Sequence, residues 1–175
     1  MSFRVALRIS ALVFVAAMLQ GAIVSTIGIA DGTADLLLVT VIMLGLVRGS
    51  IVGSLAGFAG GLVVDVLTLD TLGTTSLVLT LAGFWAGRYA ETTAQGRRLA
   101  PFLAVGVLTV LAALFGFALH YMLGDEVVAR YALVTALVPA LVMNLILALP
   151  VHALVRRVVG SPGTAERLSE VEVVV

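Results

Sequence analysis

The chain has 175 residues; 61% are apolar, 11% are charged, and the formal net charge is zero. Soluble domains carry roughly 45–50% apolar and about 25% charged residues. A mean hydropathy of +1.20 therefore excludes a soluble enzyme, a disordered chain and a nucleic-acid binder. The length suits one domain. The absence of cysteine removes disulfides, thiolate metal sites and a cysteine nucleophile, and two distant histidines do not make a metal site.

A hydrocarbon core of about 30 Å needs roughly 20 apolar residues as helix. The first such run covers 9–27, after Arg4 and Arg8, and is closed by Gly28, Asp31, Gly32 and Asp35. The second, 36–47, would make a helix of only about 18 Å and stops at Arg48-Gly49-Ser50. The third, 51–69, has Asp65 inside it and Asp70 beyond it. The fourth, 72–86, ends at Gly87-Arg88, and a polar stretch with Glu91, Gln95, Arg97 and Arg98 follows. The fifth covers 101–123, before Gly124-Asp125-Glu126 and Arg130, and the sixth covers 131–155, before Arg156-Arg157. The reading is all-α: one polytopic membrane domain, 1–157, with six transmembrane helices. A cytoplasmic tail, 158–175, carries Glu166, Glu170 and Glu172 and reads as frayed or unstructured. Arg4, Arg8 and the first apolar run have the outline of a signal peptide, but no small-x-small cleavage site precedes a polar start, so cleavage is not expected.

Arginine placement sets the orientation. With both termini inside, Arg4, Arg8, Arg48, Arg88, Arg97, Arg98, Arg156, Arg157 and Arg167 face the cytoplasm and Arg130 alone lies outside. Asp31, Asp35, Asp70, Asp125 and Glu126 then all fall outside. Fusing the second and third runs into one helix would strand Arg48 at mid-membrane.

Five features stand out. Gly49, Gly53, Gly57 and Gly61 recur at every fourth position of the third helix, which gathers them on one face and lets another backbone approach. Ala56 and Gly60 widen that face. The seam serves either packing within the chain, against the short second helix, or a partner helix. Asp65 lies about 21 Å along its helix, where a carboxylate needs a partner, water or backbone donors. It serves either as a polar contact or as a cap for the loop 68–75. Asn144 sits mid-span in the sixth helix between Pro139 and Pro150 and suits interhelical hydrogen bonding. Trp85, Tyr89, Tyr121, Tyr131 and His120 lie near span ends, as interfacial anchors do. Arg97/Arg98 and Arg156/Arg157 read as topology determinants that also face anionic lipid. No nucleophile–base pair, phosphate loop or metal spacing occurs, so no enzyme, cofactor or metal is expected.

The stretch Asp35-Leu36-Leu37-Leu38, Arg48-Gly49, Gly53 through Gly61, Asp65, Leu72-Gly73 and Gly83-Phe84-Trp85-Ala86-Gly87-Arg88 resembles the MreD family of bacterial rod shape-determining membrane proteins. The departure is Ala34, where that family usually has proline. The resemblance covers about a third of the chain, with the six-span outline around it. It implies a non-enzymatic scaffold of the cell-elongation machinery in the bacterial plasma membrane, supporting cell shape and lateral peptidoglycan synthesis. It implies MreC as partner, RodA and its transpeptidase partner indirectly, surrounding membrane lipid, no nucleic acid, and a homo- or hetero-oligomer. Gly49, Gly53, Gly57, Gly61 and Asp65 are then the partner or packing residues, and Asp35 and Arg88 further polar contacts. The family fold is similar to the substrate-binding subunit of energy-coupling-factor transporters. That likeness supplies a rival reading, a vitamin-binding membrane subunit with a polar pocket at its outer surface.

Overall fold

The computed structural model describes residues 3–22, 28–29, 32–69, 71–92, 100–123 and 129–160. Six helices follow one another: α1 Phe3–Ala22, α2 Leu36–Arg48, α3 Ser50–Thr68, α4 Thr74–Thr92, α5 Ala100–Leu123 and α6 Ala129–Val159. One element departs from the all-α expectation. A minimal antiparallel hairpin, β1 Gly28–Ile29 and β2 Gly32–Thr33, pairs Gly28 with Thr33 and Ile29 with Gly32 between α1 and α2. Such a ladder pairs backbone groups of the connection with one another. Asp31, Asp70, Gln95, Arg97, Arg98, Asp125, Glu126 and the tail 161–175 lie outside the described residues.

Helix ends and apolar runs do not coincide. α1 begins at Phe3, ahead of its apolar run, whose residues 23–27 lie outside the described residues, and α4 runs on through Arg88 to Thr92. Helix growth follows backbone hydrogen bonding, which Arg and Glu support as well as Leu does. Among the described residues four helices are long and apolar enough to cross a membrane: Phe3–Ala22, Ser50–Thr68, Pro101–Leu123 and Ala136–Val159.

The thirteen residues of α2 are too few for that, and its sequence, Leu-Leu-Leu-Val-Thr-Val-Ile-Met-Leu-Gly-Leu-Val-Arg, is apolar on every side. A helix of that kind has to be covered on every side. It is the central element: Leu37 through Leu44 are at most 3% exposed, and α1, α3, α4, α5 and α6 all lie against it. Its ends fix its depth. The Arg48 guanidinium reaches the carbonyl of Val159, at the end of α6. The Asp35 amide donates to Asn144 Oδ1, 2.7 Å away. α2 thus runs beside about 22 Å of α6, and its amino end stops inside the bundle.

Lipid supplies no hydrophobic drive between helices, so contact itself has to hold them. The closest contact is between α3 and α4. A Cβ at Gly57 would lie 2.2 Å from the Leu79 carbonyl oxygen, one at Gly61 2.3 Å from Ser76 Cα, and one at Gly83 2.2 Å from the Gly53 carbonyl oxygen. α2 joins at the same level, since a Cβ at Gly45 would lie 2.6 Å from the Gly83 carbonyl oxygen. Gly45, Gly53 and Gly83 therefore bring three backbones together, and α4, more than α2, fills the α3 seam. Gly49 makes the tight α2–α3 turn at φ +91°, a conformation in which a side chain is strained.

These distances predict how single methyl groups will act. Gly57→Ala should lower thermal stability in detergent by about 3 kcal/mol, the upper end of overpacking costs, because backbone has to move. Gly106→Ala, where a Cβ meets nothing within 4 Å, should be neutral or slightly stabilising. Equal melting temperatures for the two variants would contradict the seam.

Candidate functional site

Polar groups inside the bundle gather at three places, each at a helix end. The first is the amino end of α2. Its orphan N–H groups need acceptors, and no water reaches them in lipid. Asp35 caps the helix, accepting from the Leu38 amide at 2.8 Å. Gln20 of α1 accepts from the Leu36 amide at 2.9 Å and donates to the Ala34 carbonyl at 3.2 Å. Asn144, 1% exposed, accepts from the Asp35 amide and donates through Nδ2 to Thr109 Oγ1 at 3.3 Å. α1, α2, α5 and α6 are thereby tied at one level. Gln20 and Thr109 carry no motif signal; only this pairing reveals them.

The second place is the start of α4. Asp65 has no exposed surface. Its carboxylate accepts from the amides of Gly73 at 2.8 Å, Thr75 at 3.2 Å and Ser76 at 3.4 Å. The chain leaves α3 through Leu69 in the left-handed conformation, φ +54°, and returns through Gly73 at φ +100°. That loop aims three N–H groups at one acid, which is how a carboxylate is accommodated at this depth. Ser76 adds a hydroxyl bond to the Phe58 carbonyl at 3.0 Å.

The third place is the arginine end. Glu91 Oε1 accepts from both the amide and the hydroxyl of Ser50, each at 2.9 Å, and so caps α3 from α4. Arg88 pairs with Glu91 Oε2 at 3.3 Å in an exposed ion pair, a kind that contributes little by itself. The Ser50 amide, then its hydroxyl, then Arg88 hold Glu91 below the usual carboxylate range. Its stabilising contribution is therefore complete above the ordinary value near 4.5 and is lost as pH falls through the lower folded value.

The residues singled out from the sequence thus occupy different places. Gly53, Gly57 and Gly61 line the α3–α4 seam, Gly49 and Arg88 lie at the arginine end, Asp65 at the opposite end, and Asp35 below it inside the bundle. They do not converge on one cavity. Among the described residues no three His, Asp or Glu side chains could share a metal. The recesses are apolar. A groove of about 420 Å³ between α1 and α3 has Ala6, Ser10, Ala56, Ala59 and Gly60 in its lining. Another, of about 610 Å³, separates α5 from α6.

Interior acids committed to backbone amides, carbon-lined grooves and helices of membrane-spanning length define a helical membrane protein whose polar residues are structural. Residues 1–159 match the family described as rod shape-determining protein MreD. The chain belongs to that family: it is a rod shape-determining membrane protein of a structural rather than enzymatic family, within the system that includes MreC. No curated protein and no solved structure matches it.

Two substitutions test the caps. Asp65→Ala removes one acceptor from three amides and should lower membrane levels sharply, whereas Asp65→Asn keeps one acceptor oxygen and should lose about 1 kcal/mol. Equal stability of the two variants would mean the carboxylate is not holding the loop. Glu91→Gln should flatten the acid limb of the melting-temperature profile below about pH 4.5. An unchanged limb would assign that limb to other acids.

Proposed function

We propose that this chain is the multi-pass scaffold of the cell-elongation complex, binding an MreC-like protein through the membrane and acting through it on RodA and its transpeptidase partner. The observation that carries this reading is the family match over residues 1–159, on a structure whose interior polar groups are committed to helix ends. All six helices insert, with both termini cytoplasmic. α2 and α4 then complete the spans, α2 shielded by the other five helices and α4 by its seam with α3. Nine of ten arginines fall on the cytoplasmic side in that arrangement. Five helices around a short central one also fit a likeness to the energy-coupling-factor substrate subunit, although a vitamin would need a polar pocket, and these grooves are carbon-lined.

α4 fills the glycine seam, so the partner's helix takes another face. The α1–α3 groove suits it: Ala6 and Ser10 on α1 and Ala59 on α3 are small and exposed and permit close approach between larger neighbours such as Phe14 and Leu55.

Reporter fusions at residue 94 and at the carboxyl terminus should both report cytoplasm, and one near residue 125 the outside; an external signal at 94 would reject six spans. Ala59→Leu should leave membrane levels normal and abolish co-purification with the MreC-like protein, while Gly57→Leu should lower levels first. Parental recovery of partner by Ala59→Leu would remove the α1–α3 groove from the proposal. Failure of the chain to restore rod shape in cells depleted of their own MreD would remove the scaffold reading.

A further inference from the structure

The α5–α6 groove has fewer small residues in its lining than the α1–α3 groove, where Ala6, Ser10, Ala56, Ala59 and Gly60 stand among larger side chains such as Phe14 and Leu55. It is lined by Phe102, Leu103, Val107, Leu111, Leu141 and Leu145. Gly106 is its one small residue, and a Cβ there would meet nothing within 4 Å. Helix–helix contact in lipid calls for small residues through which backbones meet. A channel of branched and aromatic side chains with empty space at its floor fits a thin flexible chain instead.

Beyond the groove the same stripe of α6 turns polar. On the helical wheel Leu141, Leu145, His152 and Arg156 fall within about 60° of one another, so the groove stripe of α6 continues down to the arginine end of the bundle. His152 Nδ1 is buried and takes no hydrogen bond among the described residues. Arg156, a turn further on, is exposed and has no ion-pair partner among the described residues. Arg48 and Arg88 are engaged by Val159 and Glu91, although the buried Arg48 Nε, like His152 Nδ1, takes no hydrogen bond among the described residues. An apolar channel with an exposed guanidinium further along the same stripe of α6 complements a molecule with an acyl chain and a phosphate.

We propose that the α5–α6 groove and the Arg156 end of α6 form a site for one anionic phospholipid, with an acyl chain along Gly106 and the headgroup phosphate on Arg156. Such lipids enrich the cytoplasmic leaflet, the side on which the proposed orientation places Arg156. The site rests on the proposed orientation but requires no partner protein, so its failure leaves the scaffold reading untouched.

The test uses the full chain, reconstituted in vesicles of equal phosphatidylglycerol and phosphatidylcholine, extracted, and weighed by native mass spectrometry. The parent should retain phosphatidylglycerol in preference. Arg156→Gln should cut that preference about fivefold, the share of one arginine near an anionic surface. Arg157→Gln, about 100° away from Arg156 on the wheel, should leave it nearly unchanged. Gly106→Leu fills empty space, so it should keep the parental melting temperature and lose the retained lipid. Soluble glycerol phosphate should not displace the lipid. Equal retention of the two lipids, equal effects of the two arginine variants, displacement by glycerol phosphate, or normal retention by Gly106→Leu would each overturn the proposal. So would Gly106→Leu keeping lipid while losing a protein partner, which would make the groove a helix site.

Discussion

Helices in lipid gain nothing from leaving their solvent, so they hold together only as closely as their backbones can meet. Here that closeness is set at one level, where Gly45, Gly53 and Gly83 leave no room for a Cβ between α2, α3 and α4. Much of the fold follows from it. With α3 and α4 in backbone contact along their length, α2 is held against both, and the remaining helices close over its other faces. A thirteen-residue helix with no polar face is stable at membrane depth only under that cover.

Covering α2 created the second requirement. Its amino end stops inside the bundle, so its N–H groups need acceptors brought from elsewhere. Asp35 supplies one from the preceding residue, Gln20 another from α1, and Asn144 orients Asp35 from α6. Each bond that satisfies a helix end also ties two elements together. Asp65 and Glu91 do the same for α4 and α3. The buried Asp35, Asp65 and Asn144 are thus explained by helix termini at membrane depth.

What was legible in the sequence divides along the same line. The four-residue glycine spacing of α3 marks a seam because helical periodicity is local, and Asp65 marks a helix end because the loop it caps begins three residues later. The occupant of the seam was not legible. Gly83 and Gly87 stand in α4 as a single small pair, and only the three-dimensional register sets them against Gly53 and Ser50. Glu91 gave no signal, since its partner Ser50 is far away in sequence and the residue reads as part of a polar connection. Asn144 suggested interhelical bonding, but its partner, the Asp35 amide, belongs to a helix start that hydropathy places at the membrane surface. Local pattern shows which residues need a contact; it does not show which distant backbone answers.

The same glycine contacts make the molecule asymmetric. On the α2–α3–α4 side a single methyl group meets backbone atoms. On the α5 side Gly106 has open space around it, and α5 is flanked by grooves toward both α4 and α6. A region packed by backbone contact has one arrangement and passes strain on, whereas a loosely covered helix can adjust to what lies against it. The two sides therefore suit different tasks. Helices that expose a few small residues in a groove, as α1 does with Ala6 and Ser10 and α3 with Ala59, match the shape demand of a partner helix. A helix with room beneath it, as α5 has, matches the adaptable fit of an acyl chain. A scaffold that has to hold a protein at one face while remaining seated in a fluid bilayer at another needs both, and a tight core displaced to one side of the bundle provides them in a single chain.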